Sequence, residues 1–136
     1  MIRRRILLAV AAAVVLVSTT ACGGSSSSTA GGARPHSDAR LAIVSPTVNG
    51  VVHDTVELKL QLTGGEVVGP TNDPLVGNRG HIHVSLDGKL VSMTYGLDQR
   101  IPGVAPGQHT VQAEFVATDH RPFANRVIAA VVFVAR

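Results

Sequence analysis

The segment Gly80-His81-Ile82-His83-Val84-Ser85-Leu86-Asp87-Gly88-Lys89-Leu90-Val91-Ser92-Met93 holds the side chains best suited to chemistry. His81 and His83 stand two residues apart in an alternating run, and on a β-strand residues i and i+2 share a face. Two imidazoles held side by side on rigid backbone chelate an ion at reduced entropic cost, and nitrogen donors suit Cu(II), Zn(II) or Ni(II). A tight site needs three or four donors. Two further histidines are candidates to complete one. His109 opens a late alternating run on the parity of Val111, Ala113 and Phe115. His120 lies in Asp119-His120-Arg121-Pro122, where the proline biases Arg121 away from helix and helps to present the ring. The candidate ligand set is therefore His81, His83, His120 and His109, with copper or zinc as the ion. Its affinity should fall as pH drops below about 6.5, because imidazole coordinates only when neutral.

Each of these residues also has a purely structural use. His81 and His83 can hydrogen-bond to Ser92, Thr94 or water. His109 can cap the turn at Pro106-Gly107. Asp119 can orient an imidazole as an acceptor or close a local Asx turn. His36 falls in a tether and His53 in an exposed turn, so neither joins the candidate set.

The elements that must position these side chains are strands. Apolar residues alternate, Gly, Pro, Asn and Asp recur at short intervals, and helical periodicity is lacking. Strands are expected at Leu41–Val44, Thr55–Leu62, Gly80–Leu86, Lys89–Tyr95, Gln108–Ala117 and Arg126–Ala135. Gly64–Gly80 is expected as a long loop. Asp87-Gly88 is a two-residue hairpin signal. In that register Leu86 faces Lys89, Val84 faces Val91 and Ile82 faces Met93, and all of these except Lys89 at the turn are turned to the core. His81 then lies opposite Thr94 and His83 opposite Ser92 on the outer face. Met93 is accordingly assigned to packing rather than to copper. Val127–Val134 is apolar on both faces, so that strand is either covered on both sides or offers an exposed strip to a partner. The fold class is all-β: an antiparallel immunoglobulin-like sandwich of about seven strands.

Ser45-Pro46-Thr47-Val48-Asn49-Gly50 and Pro106-Gly107-Gln108-His109-Thr110-Val111 resemble segments of bacterial immunoglobulin-like modules. The antibody-type Cys–Trp–Cys core is absent, so only the architecture is implied. The succession Gly-His-x-His, Asp-Gly, Pro-Gly-x-His-Thr and Asp-His-Arg-Pro, over Gly80–Pro122, is similar to a pattern in small secreted bacterial Ig-like proteins and actinobacterial lipoproteins. That resemblance implies that His81, His83, His109 and His120 belong to one shared pattern, and implies no activity.

The start of the chain reads as an address. Arg3, Arg4 and Arg5 precede an apolar run of twelve residues, Ile6–Val17, and small residues lead to Cys22. This is the order of a secretory signal, and the run is shorter than the ~20 residues of a membrane span. Cys22 is the sole cysteine. Ala21-Cys22 resembles the lipobox of bacterial lipoproteins, with Thr19 where leucine is usual. Residues 1–21 are thus expected as a signal peptide and residues 22–39 as a lipidated cysteine with a flexible Gly/Ser tether. Residues 40–136 are expected to form the folded domain. The resemblance places the protein on the extracytoplasmic face of the cell membrane, held by lipid on Cys22.

Without Arg3, Arg4 and Arg5, nine basic residues balance nine acidic ones. That balance argues against nucleic acid as a partner, because such binding needs a basic patch. No nucleophile elbow, HExxH, phosphate loop or paired cysteines occur, which speaks against an enzyme. Three functions are left open: a transition-metal-binding envelope lipoprotein; a non-catalytic interaction module that presents Gly64–Gly80 or the last strand to an envelope protein, glycan or lipid; and an enzyme accessory domain that works only in complex.

Overall fold

The structure, a computed structural model, describes residues 33–136. The expected signal peptide, Cys22 and the tether up to residue 32 lie outside the described residues. Nine strands follow in order: β1 (Arg40–Ser45), β2 (Val51–Val52), β3 (Thr55–Thr63), β4 (Glu66–Val67), β5 (Arg79–Leu86), β6 (Lys89–Thr94), β7 (Asp98–Pro102), β8 (Gly107–Ala117) and β9 (Pro122–Ala135). They form an all-β sandwich, as the alternation predicts. One sheet runs β1-β3-β7; the other runs β2-β9-β8-β5, with β4 and β6 pairing β5 on its remaining side.

Between the sheets lies an aliphatic core with three aromatic rings. β3 contributes Val56, Leu58 and Leu60 from alternate positions, and β5 contributes Ile82 and Val84. β8 adds Val111, Ala113 and Phe115, and β9 adds Phe123, Val127, Val131 and Phe133. Phe115 and Phe123 pack at a centroid distance of 5.2 Å. Each buried side chain of this size contributes about 1.5–3 kcal/mol.

Four expectations are corrected by the structure. β7 and the two-residue strands β2 and β4 are additional. In β7 only Ile101 is buried, so the segment shows no apolar alternation to reveal it. The last strand is covered on one face along most of its length: Ile128 is 40% exposed while Val127 is buried. The tether stops short of residue 39. Asn125 accepts from Ser37 N at 2.9 Å and donates Nδ2–H to Ser37 O at 2.7 Å, and Ala124 N–H donates to Pro35 O. Ser37 and Ala39 are buried, so the strap from Arg34 onward belongs to the domain.

The fourth correction concerns the hairpin. The Asp87-Gly88 turn forms with positive φ at both residues, 50° and 80°, as a type I′ turn requires. Leu86 pairs with Lys89 and Ser85 with Leu90, and the register then slips: Val84 pairs with Ser92, His83 with Met93 and Ile82 with Thr94. Val91 is the extra residue of a β-bulge, which shifts every later position of β6 by one. Met93 is thereby turned out of the core and is 52% exposed. β5 itself keeps its faces because β8 holds it on the other side, with Ile82 against Phe115 and Val84 against Ala113.

Candidate metal centre

Gly80 sets the approach of β5 to β8 beside the histidines. A Cβ there would meet Val116 O at 1.8 Å, so only glycine permits this pairing. The next residue, His81, turns to the outer face of the larger sheet yet is 2% exposed. His83 follows on the same face, half-buried. The alternation that buries Ile82 and Val84 in the core therefore fixes both rings on the other side.

The third histidine arrives from the turn between β8 and β9. Ala117 N–H donates to Arg121 O and His120 N–H donates to Ala117 O, both at 3.0 Å. His120 sits in the left-handed region, φ 62°, an uncommon conformation for a residue with a Cβ. His81 Nε2 lies 2.9 Å from His120 Nδ1 and 3.1 Å from His83 Nε2. The three residues each offer one nitrogen within 4.8 Å of the others.

Arg34 clamps this turn. Its guanidinium binds Asp119 in a fork, at 2.7 and 2.9 Å, and donates to Arg121 O at 2.9 Å and Pro122 O at 2.5 Å. Carbonyls and a carboxylate on both sides of His120 are thus tied to one side chain. Bidentate charge-assisted pairs of this kind fix geometry as well as contribute energy. The Arg34 hydrogen bonds hold the Asp119 carboxyl below the usual carboxylate range. Asp119 Oδ1 also accepts from Arg121 N at 3.2 Å. Asp119 therefore closes a local turn and binds arginine rather than orienting an imidazole. No short-range signal relates Arg34 to residues 119–122, which explains its placement in the tether on sequence grounds.

Burial, then the neighbouring His120 and His83, pushes the His81 pKa down to about 4. Burial and His120 likewise lower that of His83. Crowded imidazoles disfavour one another's protonated forms, so the neutral form of both rings is favoured, and their nitrogens are shared in hydrogen bonds within the cluster.

His109 is not part of this cluster. Its Nδ1 lies 2.7 Å from Asp87 Oδ2 and its Nε2 lies 2.8 Å from Ala105 O. Asp87 also accepts from Thr110 N–H at 2.8 Å. The hydrogen bond to Asp87 raises the His109 pKa. The capping role holds, and the expected contribution of His109 to a shared ligand set is corrected. His36 and His53 are exposed and lie outside the group of three.

A pocket of about 260 Å³ opens over the cluster, lined by Pro70, Thr71, Asn72, His81, Tyr95, Thr118 and His120. The Tyr95 ring packs on His81 at a centroid distance of 5.4 Å. The loop after β4 supplies one wall. It is anchored by Glu66 N–H to Asn78 O and Val68 N–H to Gly80 O, each at 2.7 Å.

No protein-family model matches the chain, and no curated protein matches its sequence. Among solved structures, it is similar to fibronectin(III)-like modules of Clostridium thermocellum CbhA. The TM-score is 0.50 at 15% identity, over 70% of this chain and 93% of that one. That similarity supports a fibronectin III-like sandwich and nothing finer. A Jonesia denitrificans lytic polysaccharide monooxygenase is matched more loosely, with TM-score 0.45 and 17% identity over 67% of this chain and 58% of that one.

Proposed function

We propose that this chain is a non-catalytic cell-envelope lipoprotein whose sandwich binds one transition-metal ion, copper or zinc, through His81, His83 and His120. One observation carries the reading: two imidazole nitrogens, His120 Nδ1 and His83 Nε2, lie 2.9 and 3.1 Å from His81 Nε2, so three rings from two separate segments converge. Tetrahedral zinc with bonds of ~2.0–2.1 Å separates its ligand nitrogens by roughly 3.3 Å. The two distances from His81 Nε2 fall short of that by a few tenths of an ångström, and all three nitrogens lie within 4.8 Å of one another. The lowered pKa values of His81 and His83, caused first by burial and then by neighbouring imidazoles, support the same use, since each ligand must be deprotonated at the coordinating atom. The lipid anchor on Cys22 and the extracytoplasmic location rest on the order of residues 1–22 alone.

The test is a titration of purified full-length protein in detergent with Cu(II) and Zn(II), followed by calorimetry and native mass spectrometry. One ion should bind with a Kd tighter than ~10 μM. The His81→Ala/His83→Ala double variant should lose about 100-fold or more in affinity. Binding weaker than that limit, or unchanged in the double variant, would remove the reading.

A second reading, an interaction module, is favoured by the bulged edge strand. Leu90, Val91 and Met93 of β6 are each more than 40% exposed, and an edge strand with apolar side chains is a template for pairing. Crosslinking of whole cells with a photoreactive group at Met93 tests it. Failure to recover an envelope protein specific to that position would count against it.

A further inference from the structure

The charge balance of the three-histidine centre is incomplete. Three neutral imidazoles leave a divalent ion with its full double charge, and a partly buried charge without a counter-charge is costly. Two carboxylates lie close by, and both are already spent. Asp119 is bound in a fork by Arg34. Glu114, the β8 partner of His83 across the sheet, accepts from Arg126 Nε and Nη2 at 2.8 and 2.6 Å. With their oxygens held by arginine, neither is free to coordinate, and the paired guanidinium offsets the charge of each.

The pocket supplies what the ligand set lacks. His81 and His120 are among its lining residues, so a metal held between them would border it. Among the described residues that line it, none is Asp, Glu, Lys or Arg. Instead the lining includes Thr71, Thr118 and Tyr95, which carry hydroxyls, and Asn72, which carries an amide, groups able to donate to an acceptor-rich ligand. Three protein donors also leave a fourth tetrahedral position open, as in metal sites that exchange ligands.

We infer that the bound metal keeps an open coordination position directed into this pocket, and that it is filled by a small carboxylate anion which neutralises the ion and accepts from Asn72 and Thr118. This rests on the metal reading above. It deepens that reading by assigning the site a second ligand of defined class. The ion would then be held as a ternary complex, and carboxylate concentration would tune its retention.

Cu(II)-loaded full-length protein in detergent provides the test, with electron paramagnetic resonance and visible absorption as readouts and acetate as the probe. Acetate should shift both spectra saturably in the wild type. Its apparent Kd should rise about fivefold or more in Asn72→Ala/Thr118→Val, the loss expected for a hydrogen bond of ~1 kcal/mol. Spectra unchanged up to roughly 100 mM acetate would overturn the inference while leaving the metal reading intact. Equal acetate affinity in wild type and double variant would also overturn it, since the ligand would then sit in bulk solvent rather than in the pocket. Failure of the wild type to bind Cu(II) removes both this inference and the reading beneath it.

Discussion

The same residue type is used in opposite ways near the two ends of β5. At one end His81 and His83 meet His120, with burial and mutual crowding pressing the first two toward the neutral form. Just past the other end His109 lies against Asp87, and that carboxylate favours the charged form. Three converging imidazoles could hold a metal ion; an imidazole whose two nitrogens are both hydrogen-bonded to a carboxylate and a carbonyl is a brace. Histidine count and position in sequence do not separate these outcomes. What separates them is the partner that the fold brings to each ring.

The contrast is broken most directly by metal affinity. His120→Ala should weaken Cu(II) or Zn(II) binding by an order of magnitude or more, and Arg34→Gln by about tenfold, because Arg34 orients the turn that presents the ligand. His109→Ala should leave affinity within about twofold, as no ligand orientation depends on it. Isothermal titration of the three variants measures all of this. A His109 effect as large as that of His120 would erase the distinction.

The pH dependence of apo stability should show the two environments with opposite sign. A histidine whose folded pKa lies below its unfolded value contributes stability that is present above about pH 6.5 and lost as pH falls toward the folded pKa. For His81 that window runs from about 6.5 down to about 4. His109, with its pKa raised, contributes stability that is present below about pH 6.5 and lost as pH rises through its folded pKa. Urea unfolding across this range should show a shallower acid-side loss in His81→Gln. In His109→Gln the alkaline-side loss should diminish instead. Parallel profiles for the two variants would contradict the assignment.

The smallest effect should come from the brace itself. Asp87→Asn keeps a residue tolerant of the left-handed turn but removes the charge that faces His109. A cost of about 0.5–1.5 kcal/mol is expected, read from the midpoint of unfolding. A metal affinity altered more than twofold in this variant would mean that the two ends of β5 communicate.

Much of the site was readable in the sequence because strand geometry is local. The i, i+2 spacing of His81 and His83 dictates their common face once the segment is a strand, and the Asp-Gly turn marks that strand's end. The bulge at Val91 was not readable, since a single residue added to β6 leaves the apolar pattern of β6 ambiguous. It moved Met93 outward but left the histidines in place, because β8 rather than β6 fixes the faces of β5. The convergence of His120 was half legible: its loop is marked by Asp119 and Pro122, but its approach to His81 depends on the pairing of β5 with β8. Arg34 was illegible, being joined to its partners by contacts across 85 to 88 residues in a stretch whose composition resembles a linker. β7 was missed for a similar reason, as its strand conformation is imposed by β3 rather than by its own apolar content.

The separation of the three donors along the chain has a consequence for folding. His83 and His120 are brought together only when β8 has paired with β5 and the following turn has closed, so an unfolded chain retains at most the adjacent pair, His81 and His83. An ion that engages all three therefore binds the native form preferentially and raises its stability with concentration. In a chain with a single cysteine, and hence no internal disulfide, such an ion would act as a reversible cross-brace. It would link the second half of the sandwich to the hairpin and be withdrawn whenever a stronger chelator competes for it.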